Sequence, residues 1–222
     1  MSKNRQKLLE IDDLTWGYDA SPTMLYDNFN LDLYEKDFCF IVGKSGRWKT
    51  TLIRFLMGKL TPPKKMIFYK KEDIARYTDK ERAIFKRKIG VVYQDFKLID
   101  HKTVYENIAY PLKIVSISQS KIKEKVNNIL YQMDLMEKKN VNIPTLSGGE
   151  KQRVAIARAL IMNPEFIIAD EPTGNLDWEN SQKIADYLIE LNDKWNTILL
   201  ITHDMRLLEY VKDKTNIKIV NV

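Results

Sequence analysis

The chain has 222 residues, of which 44% are hydrophobic and 30% charged, so it is long enough for one large domain and too rich in apolar residues for a disordered segment. No apolar run approaches the roughly 18 consecutive residues that cross a bilayer, and the single cysteine, Cys39, excludes a disulfide framework. Lysine and arginine number 36 against 30 aspartates and glutamates, and the net charge of +6 suits an acidic partner such as a nucleotide, a nucleic acid or an anionic membrane.

The first seventy residues contain three short segments in which apolar and polar residues alternate. They occupy 8–11, 29–33 and 66–69. Such alternation is typical of half-exposed strands in an antiparallel sheet. We therefore predict an antiparallel β subdomain in the N-terminal part of the chain.

Four further runs have the length of strands and are mostly apolar on both faces, as the strands of parallel sheets are. They occupy 39–42, 90–93, 166–169 and 197–201. Helical patterns lie between them, at 49–57, 118–133, 150–162 and 178–193. This alternation predicts an α/β core with a parallel sheet, and the mainly helical stretch from about 96 to 145 predicts a helical lobe inserted in that core.

A glycine-containing loop follows the predicted strand at 39–42 and reads Gly43-Lys44-Ser45-Gly46-Arg47-Trp48-Lys49-Thr50-Thr51. In a phosphate-binding loop of this kind, backbone N–H groups surround the phosphates, the lysine reaches them, and the next hydroxyl binds Mg²⁺. That pattern has glycine directly before the lysine, where this chain has Trp48. The alternative is an ordinary strand-turn-helix with Lys49 at its start.

Two carboxylates, Asp170 and Glu171, follow the predicted strand at 166–169. Open α/β sheets bind their ligands at the carboxyl ends of strands. Asp170 suits contact with Mg²⁺, and Glu171 suits the polarisation of an attacking water. The alternative is a strand that ends in a solvated acidic turn.

A third motif opens the predicted helix at 150–162 and reads Leu146-Ser147-Gly148-Gly149-Glu150-Lys151-Gln152-Arg153. Its serine and glycines leave free N–H groups at a helix N-terminus, which favours an anion. Ser147 and Glu150 are also spaced as a capping box, which by itself predicts only a well-capped helix. The capping box does not account for the two glycines.

With these motifs in this order, the sequence resembles the ATPase subunits of the ABC family from about Leu8 onward. The resemblance places the Walker A loop on Gly43 to Thr51 and the signature motif on Leu146 to Glu150. It places the Walker B strand on Phe166 to Asp170, with Glu171 as the catalytic glutamate.

The same resemblance assigns four single residues. Gln94 is the Q-loop glutamine, Asp177 belongs to the D-loop at 175–177, and His203 is the switch histidine. Tyr18 is the aromatic residue that stacks on adenine, with Trp16 and Tyr26 as nearby alternatives. Without the family, Gln94 would be interpreted as a surface residue, but its place directly after a predicted core strand favours contact with metal and water. His203 would be interpreted as a structural histidine, and the resemblance to the family implies instead that it contacts the γ-phosphate.

The resemblance implies a P-loop NTPase (RecA-like) core with an N-terminal antiparallel β subdomain and an inserted helical subdomain. It implies one domain over 1–222, with the core at about 8–95 and 155–222 and the helical lobe at about 96–154. The implied cofactors are ATP and Mg²⁺, the latter bound by Thr50, Gln94 and Asp170. The implied assembly is a head-to-tail homodimer, in which Ser147 and Gly149 of one subunit complete the ATP site of the other.

The segment after Gln94 narrows the resemblance to the FtsE subfamily of cell-division ATPases. It reads Asp95-Phe96-Lys97-Leu98 and then Thr103-Val104-Tyr105-Glu106-Asn107, where lipoprotein-release and macrolide-efflux subunits tend to differ. This similarity implies an integral membrane partner of the FtsX type docking near Gln94 to Pro111, and a peripheral location on the cytoplasmic face of the cell membrane. A solute importer would differ only in its partner. No nucleic acid is expected, because basic pairs such as Lys64-Lys65 are more simply a solvated or membrane-facing surface.

Tryptophan occupies two positions where the family has glycine. We expect an indole at Trp48 to clash or to force the phosphate loop open, and Trp195 lies where glycine suits a left-handed helix cap. Glycine makes up only about 4% of the chain against roughly 7% on average. We interpret this as a gene whose UGA codons encode glycine, translated with UGA as tryptophan, with Trp16 and Trp178 as further candidates.

Two alternatives to recoding are open. The residues could reflect drift in a degenerate ATPase, or the protein could truly carry them, in which case an ATP-inactive scaffold becomes the rival function. Finding UGG codons at 48 and 195 in the gene would exclude recoding.

Overall fold

A computed structural model describes residues 5–18, 24–43, 47–194 and 196–222, which form nine strands and seven α-helices. The strands are β1 (Lys7–Trp16), β2 (Tyr26–Tyr34), β3 (Phe38–Val42), β4 (Ile67–Tyr69), β5 (Glu72–Asp73), β6 (Ile89–Val92), β7 (Phe166–Asp170), β8 (Thr197–Thr202) and β9 (Lys218–Asn221). The helices are α1 (Arg47–Leu56), α2 (Asp79–Lys86), α3 (Val104–Ile114), α4 (Gln119–Gln132), α5 (Gly148–Leu160), α6 (Trp178–Asp193) and α7 (Met205–Lys212).

One sheet is antiparallel and has the strand order β2-β1-β4-β5. Along β1, Leu9, Ile11 and Leu14 are buried, whereas Asp12 and Asp13 are exposed. One face of this sheet therefore packs on the core while the other meets solvent. The predicted antiparallel sheet is confirmed.

The other sheet is parallel throughout and has the order β6-β7-β8-β3-β9. All six residues of β8 are buried, as expected for a strand covered on both faces. Because the strands run the same way, their carboxyl ends meet at one edge. Gly43 follows β3, Gln94 comes two residues after β6, and Glu171 and His203 follow β7 and β8.

Two apolar clusters cover the two faces of the parallel sheet, and the residues of β7 alternate between them. Ile167 and Ala169 belong to the cluster formed with α3 to α7, whereas Phe166 and Ile168 belong to the cluster formed with α1 and the antiparallel sheet. The antiparallel sheet and the helices of the predicted lobe therefore lie on opposite faces. The predicted boundary at 154 falls inside α5, which runs without a break to Leu160.

The four strands and four helices predicted for the α/β core are present within two residues of their predicted ends. The sequence did not predict α2, α7 or β9, each of which is eight residues or shorter. In β9, Lys218 and Val220 alternate with exposed residues. None of the helices in the described part of the chain is long and apolar enough to cross a membrane.

Candidate nucleotide-binding and catalytic site

The loop predicted to bind phosphate connects β3 to α1 at the carboxyl edge of the parallel sheet. Lys44, Ser45 and Gly46 lie outside the described residues, as does the side chain of Arg47. The first turns of α1 then present Lys49, Thr50 and Thr51. An anion is favoured there, because the N–H groups of a helix N-terminus and its dipole point toward it.

Trp48 is accommodated in the core, so the described residues show no clash at the indole. The prediction that it forces the phosphate loop open falls on Lys44 to Gly46, which lie outside the described residues. The Trp48 side chain is 7% exposed and belongs to the cluster that joins α1 to the antiparallel sheet. The indole packs on Gly43, where an added Cβ would lie 3.0 Å from Cζ2 of Trp48. The Tyr26 hydroxyl donates a hydrogen bond to the Trp48 carbonyl. Trp48 is part of a helix and has no positive φ, so this position does not require the conformational freedom of glycine.

Trp16 and Trp178 are two other positions where a recoded glycine codon was predicted, and neither has a backbone conformation that requires glycine. Trp16 makes edge contacts with Tyr18 and Phe55, and Trp178 stacks against the guanidinium of Arg206, which lies 3.8 Å from the ring centroid. Neither has a positive φ. Trp195 lies outside the described residues, and recoding stays a prediction.

Lys49 contacts the carboxylate of Glu171 in this structure, and both side chains are buried, at 5% and 7% exposed. Glu171 also accepts a hydrogen bond of 2.8 Å from the Thr202 hydroxyl and lies 2.6 Å from Nδ1 of His203. Burial alone would raise the pKa of Glu171, but these hydrogen bonds, chiefly that from Lys49, keep it below its ordinary value. Glu171 is therefore ionised at neutral pH, and its charge is matched by Lys49.

Thr50, Gln94 and Asp170, the predicted Mg²⁺ ligands, line one cavity of about 580 Å³. Burial raises the pKa of Asp170 to about 6, and the negative charge of Glu171 adds to the effect. A hydroxyl, an amide and a carboxylate fit Mg²⁺, which takes oxygen ligands and usually keeps several waters. The described residues contain no group of three or more His, Cys, Asp or Glu side chains placed to hold a metal, and this donor set needs only one carboxylate.

Tyr18 lies beside the first turns of α1. Its hydroxyl is 3.0 Å from Oγ1 of Thr51 and accepts a hydrogen bond of 3.3 Å from Arg54. These three residues and Thr50 line a cavity of about 370 Å³. Tyr26, by contrast, is only 2% exposed within the core. Tyr18 therefore lines a cavity beside α1, whereas Tyr26 lies in the core, and the assignment of adenine stacking to Tyr18 stays a prediction.

The signature motif forms the N-terminus of α5, where Ser147 and Glu150 make the predicted capping box through bonds of 3.3 and 2.8 Å. The two glycines have a packing reason of their own. A Cβ on Gly148 would lie 3.1 Å from Cδ2 of Leu176, and a Cβ on Gly149 would lie 2.9 Å from Oδ1 of Asn180. Glycine therefore lets α5 approach the D-loop and α6 closely.

The D-loop contacts both the Q-loop and the signature helix. The side chain of Asn175 donates a hydrogen bond of 2.8 Å to the carbonyl of Gln94. Asp177 caps α6 by accepting a bond of 2.9 Å from the Asn180 amide, and this bond lowers the pKa of Asp177. Three motifs separated in sequence are thus in contact.

The structure brings most of the predicted site residues to one edge of the sheet. Lys49, Thr50, Gln94, Asp170 and Glu171 lie together, with His203 beside Glu171. The signature residues Leu146 to Glu150 do not line the two cavities next to Thr50, as far as the described residues show.

Sequence reasoning missed two residues that support this site. Thr202 at the end of β8 bonds Glu171, and its place directly before His203 could have indicated it. Arg158 on α5 donates hydrogen bonds to the carbonyls of Phe96 and Lys97, at 2.8 and 2.6 Å. The sequence feature that could have indicated Arg158 is its positive charge among the apolar residues of α5.

Comparison with known proteins decides the family. A family model described as "ABC transporter" matches residues 26–174. The chain belongs to the ABC transporter family. Membership of this family confirms the predicted P-loop NTPase fold and the predicted ATPase activity.

Two curated relatives and one solved structure show the range of similarity. The cell division ATP-binding protein FtsE of Bacillus subtilis is 37% identical over 188 residues, covering 85% of this chain and 82% of the relative. The methionine import ATP-binding protein MetN of Mannheimia succiniciproducens is 40% identical over 189 residues, covering 85% of this chain and 55% of the relative. The dimeric, post-hydrolysis structure of the ATP-binding cassette MJ0796 bound to ADP and Pi has a TM-score of 0.79 and 31% identity, covering 91% of each chain.

Proposed function

We propose that two copies of the chain close head to tail around ATP and that this motion acts on an integral membrane subunit of the FtsX type in cell division. The observation that carries the proposal is the similarity to FtsE over most of both chains. The Gln-Asp-Phe-Lys-Leu segment from Gln94 to Leu98 supports it, because it lies where the family's ATPase meets its membrane subunit.

ATP binding is assigned to Tyr18 and to the loop from Gly43 to Thr51. Lys49 would neutralise phosphate charge, and Thr50, Gln94 and Asp170 would hold Mg²⁺. Mg²⁺ supplies charge neutralisation to the transferring phosphoryl group, and positioning plus electrostatic stabilisation is most of what this chemistry needs.

Hydrolysis is assigned to Glu171 as the base toward the attacking water, with His203 contacting the γ-phosphate and positioning the water, and Gln94 near the metal and the water. The ionised state of Glu171 suits this role. Lys49 is in contact with Glu171, so phosphate binding must draw the lysine away before Glu171 is available to water.

Dimer formation would complete the site through Ser147 and Gly149 of the second subunit. Ser147 is exposed at the tip of α5, where an anion is favoured. The MJ0796 cassette, described as dimeric and bound to ADP and Pi, supports dimer formation by this chain.

The test of this mechanism is Glu171→Gln. We expect the variant to bind ATP without hydrolysing it and to elute as a dimer in ATP, as measured by size-exclusion chromatography with light scattering. The matched control is Glu165→Gln, which removes a glutamate outside the site. Hydrolysis at the wild-type rate by Glu171→Gln would refute the catalytic assignment.

The membrane subunit is proposed to dock in a groove of about 610 Å³ between α2, β6, α3 and α5. Tyr110 and Ile114 on α3 are 43% and 65% exposed there, and the groove includes Pro111, Lys97 and Arg158. None of the described residues that line it is acidic. The groove overlaps the predicted docking segment from Gln94 to Pro111, and docking would hold the chain at the cytoplasmic face of the membrane.

The docking proposal is tested by co-purification with the FtsX-type subunit and, separately, with the membrane subunit of a methionine importer. The MetN relative makes the importer the second candidate function. We expect capture by the FtsX-type subunit, lost in Tyr110→Ala but kept in Tyr131→Ala, which removes a tyrosine that is 81% exposed on α4 outside the groove. Capture by the importer subunit alone would favour the second function.

Two rivals from other classes have direct tests. An ATP-inactive scaffold predicts that protein carrying Trp48 does not bind ATP whereas Trp48→Gly does. A nucleic-acid-associated ABC protein predicts salt-dependent DNA binding in a filter assay, whereas we expect none.

A further inference from the structure

Arg158 holds the backbone of the Q-loop from the signature helix. It lies eleven residues after Ser147 on α5, or about 16 Å along the helix axis. Its two terminal nitrogens donate hydrogen bonds to consecutive carbonyls, Lys97 at 2.6 Å and Phe96 at 2.8 Å. Burial lowers the pKa of Arg158, and no carboxylate in the described part of the chain forms an ion pair with it.

The backbone that Arg158 holds is in an uncommon conformation. Phe96 and Lys97 both have left-handed φ values, of 58° and 49°. The only other consecutive pair in the described chain, Lys70 and Lys71, forms the tight connection between β4 and β5. Phe96 and Lys97 join no pair of strands, and outside such a turn residues other than glycine keep this conformation where surrounding contacts impose it. The planar guanidinium supplies such a contact, because its fork reaches both carbonyls at once.

Gln94 lies between the D-loop and the backbone carbonyls that Arg158 contacts. Its carbonyl accepts a hydrogen bond from Asn175, and its side-chain amide lies against Gly174, where an added Cβ would be 3.1 Å from Nε2. The same side chain lines the cavity that contains Thr50 and Asp170. The carbonyls that Arg158 holds lie only two and three residues further along the same loop.

We propose that Arg158 is a positioning residue for Gln94, which links the signature helix rigidly to the Mg²⁺ side of the ATP site. The link needs the two-pronged guanidinium and not merely a positive charge. It rests on the proposed role of Gln94 at the Mg²⁺ site, but not on the identity of the membrane partner, because all the contacts lie within this chain.

The experiment compares Arg158→Met and Arg158→Lys with the wild type, with Arg76→Met as a control that removes an exposed guanidinium paired with Asp73. The first readout is amide hydrogen exchange of the segment 93–100 in protein free of nucleotide and Mg²⁺. The second is the Mg²⁺ concentration for half-maximal ATPase activity, set against the affinity for ADP without Mg²⁺.

For both Arg158 variants we expect faster exchange at Phe96 and Lys97 and an Mg²⁺ requirement raised by about tenfold, the lower end of the effect of losing a residue that orients a metal ligand. ADP affinity without Mg²⁺ should stay within about twofold of the wild type, and Arg76→Met should match the wild type.

Three results would overturn the proposal. Unchanged exchange and Mg²⁺ requirement in Arg158→Met would show that Arg158 does not position Gln94. Full rescue by lysine would show that charge alone is sufficient. An equal loss of ADP affinity without Mg²⁺ would show a general structural role. If Arg158→Met fails to fold, Arg158→Lys, which keeps the charge, decides the matter with the same readouts.

Discussion

Replacing Glu171 with glutamine should destabilise the nucleotide-free protein and strengthen nucleotide binding at the same time. In the wild type, Lys49 and Glu171 neutralise each other, and both side chains are almost fully buried. If Lys49 binds phosphate as proposed, a nucleotide takes Lys49 from Glu171 when it binds. Glutamine has no charge to hold the lysine, so the variant leaves a buried cation that the phosphates then satisfy.

The structure sets the size of both effects. Removing one partner of a buried ion pair costs about 3–5 kcal/mol, and we expect about 3 kcal/mol because Thr202 and His203 can still bond the glutamine. For a domain of this size, that corresponds to a fall in melting temperature of about 6–12 °C. If about half of that free energy is regained on binding, affinity rises by roughly tenfold, since each factor of ten is about 1.4 kcal/mol.

The assay is calorimetric titration of ADP without Mg²⁺, together with thermal unfolding of the same samples. Glu165→Gln is the matched control, because Glu165 pairs with Lys70 and Lys88 at 2.6 and 2.9 Å away from the nucleotide site. It should lower stability modestly and leave ADP affinity unchanged. A Glu171→Gln protein that is less stable but binds ADP no more tightly would refute the idea that Glu171 competes with phosphate for Lys49.

Two further predictions concern Asp170 and Trp48. The metal-free pKa of Asp170 is raised to about 6, so Mg²⁺ must displace a proton below that pH, and the apparent Mg²⁺ affinity of the ADP complex should fall about tenfold from pH 7 to pH 5. A raised carboxyl pKa means that the ionised form of Asp170 destabilises the folded state. Asp170→Asn should therefore have a higher melting temperature than the wild type at pH 7 but not at pH 4. Equal melting temperatures at pH 7 would contradict the raised pKa. Trp48→Gly removes a buried indole and should lower the free energy of unfolding in urea by about 3–5 kcal/mol; a loss below about 1 kcal/mol would show that the indole is not a core residue.

The positions of the site residues could be predicted because they depend on strand ends. Gly43, Glu171 and His203 each follow an apolar run that the sequence shows plainly, and parallel strands bring such ends to one edge. The capping box of α5 is likewise a local pattern and is present as predicted.

Contacts between distant segments could not be predicted in the same way. Lys49 and Glu171 are 122 residues apart, and nothing in either motif indicates that they pair with each other. Trp48 was expected to clash because the loop was considered without the core beside it. The aromatic residues of the antiparallel sheet and α1, such as Tyr26 and Phe55, form the environment that accommodates the indole.

The D-loop shows how motifs that are far apart in the sequence come into contact in the structure. Its contacts depend on glycines that leave room for a neighbouring side chain. Leu176 lies where Gly148 has no side chain, and the Gln94 amide lies where Gly174 has none. A packed interior transmits small displacements because it leaves few voids to absorb them. Movement of α5 would therefore reach Gln94 by two routes, through the D-loop and through Arg158. On this proposal, a signal that arrives at the signature helix changes the proposed Mg²⁺ side of the site without any contact to the nucleotide.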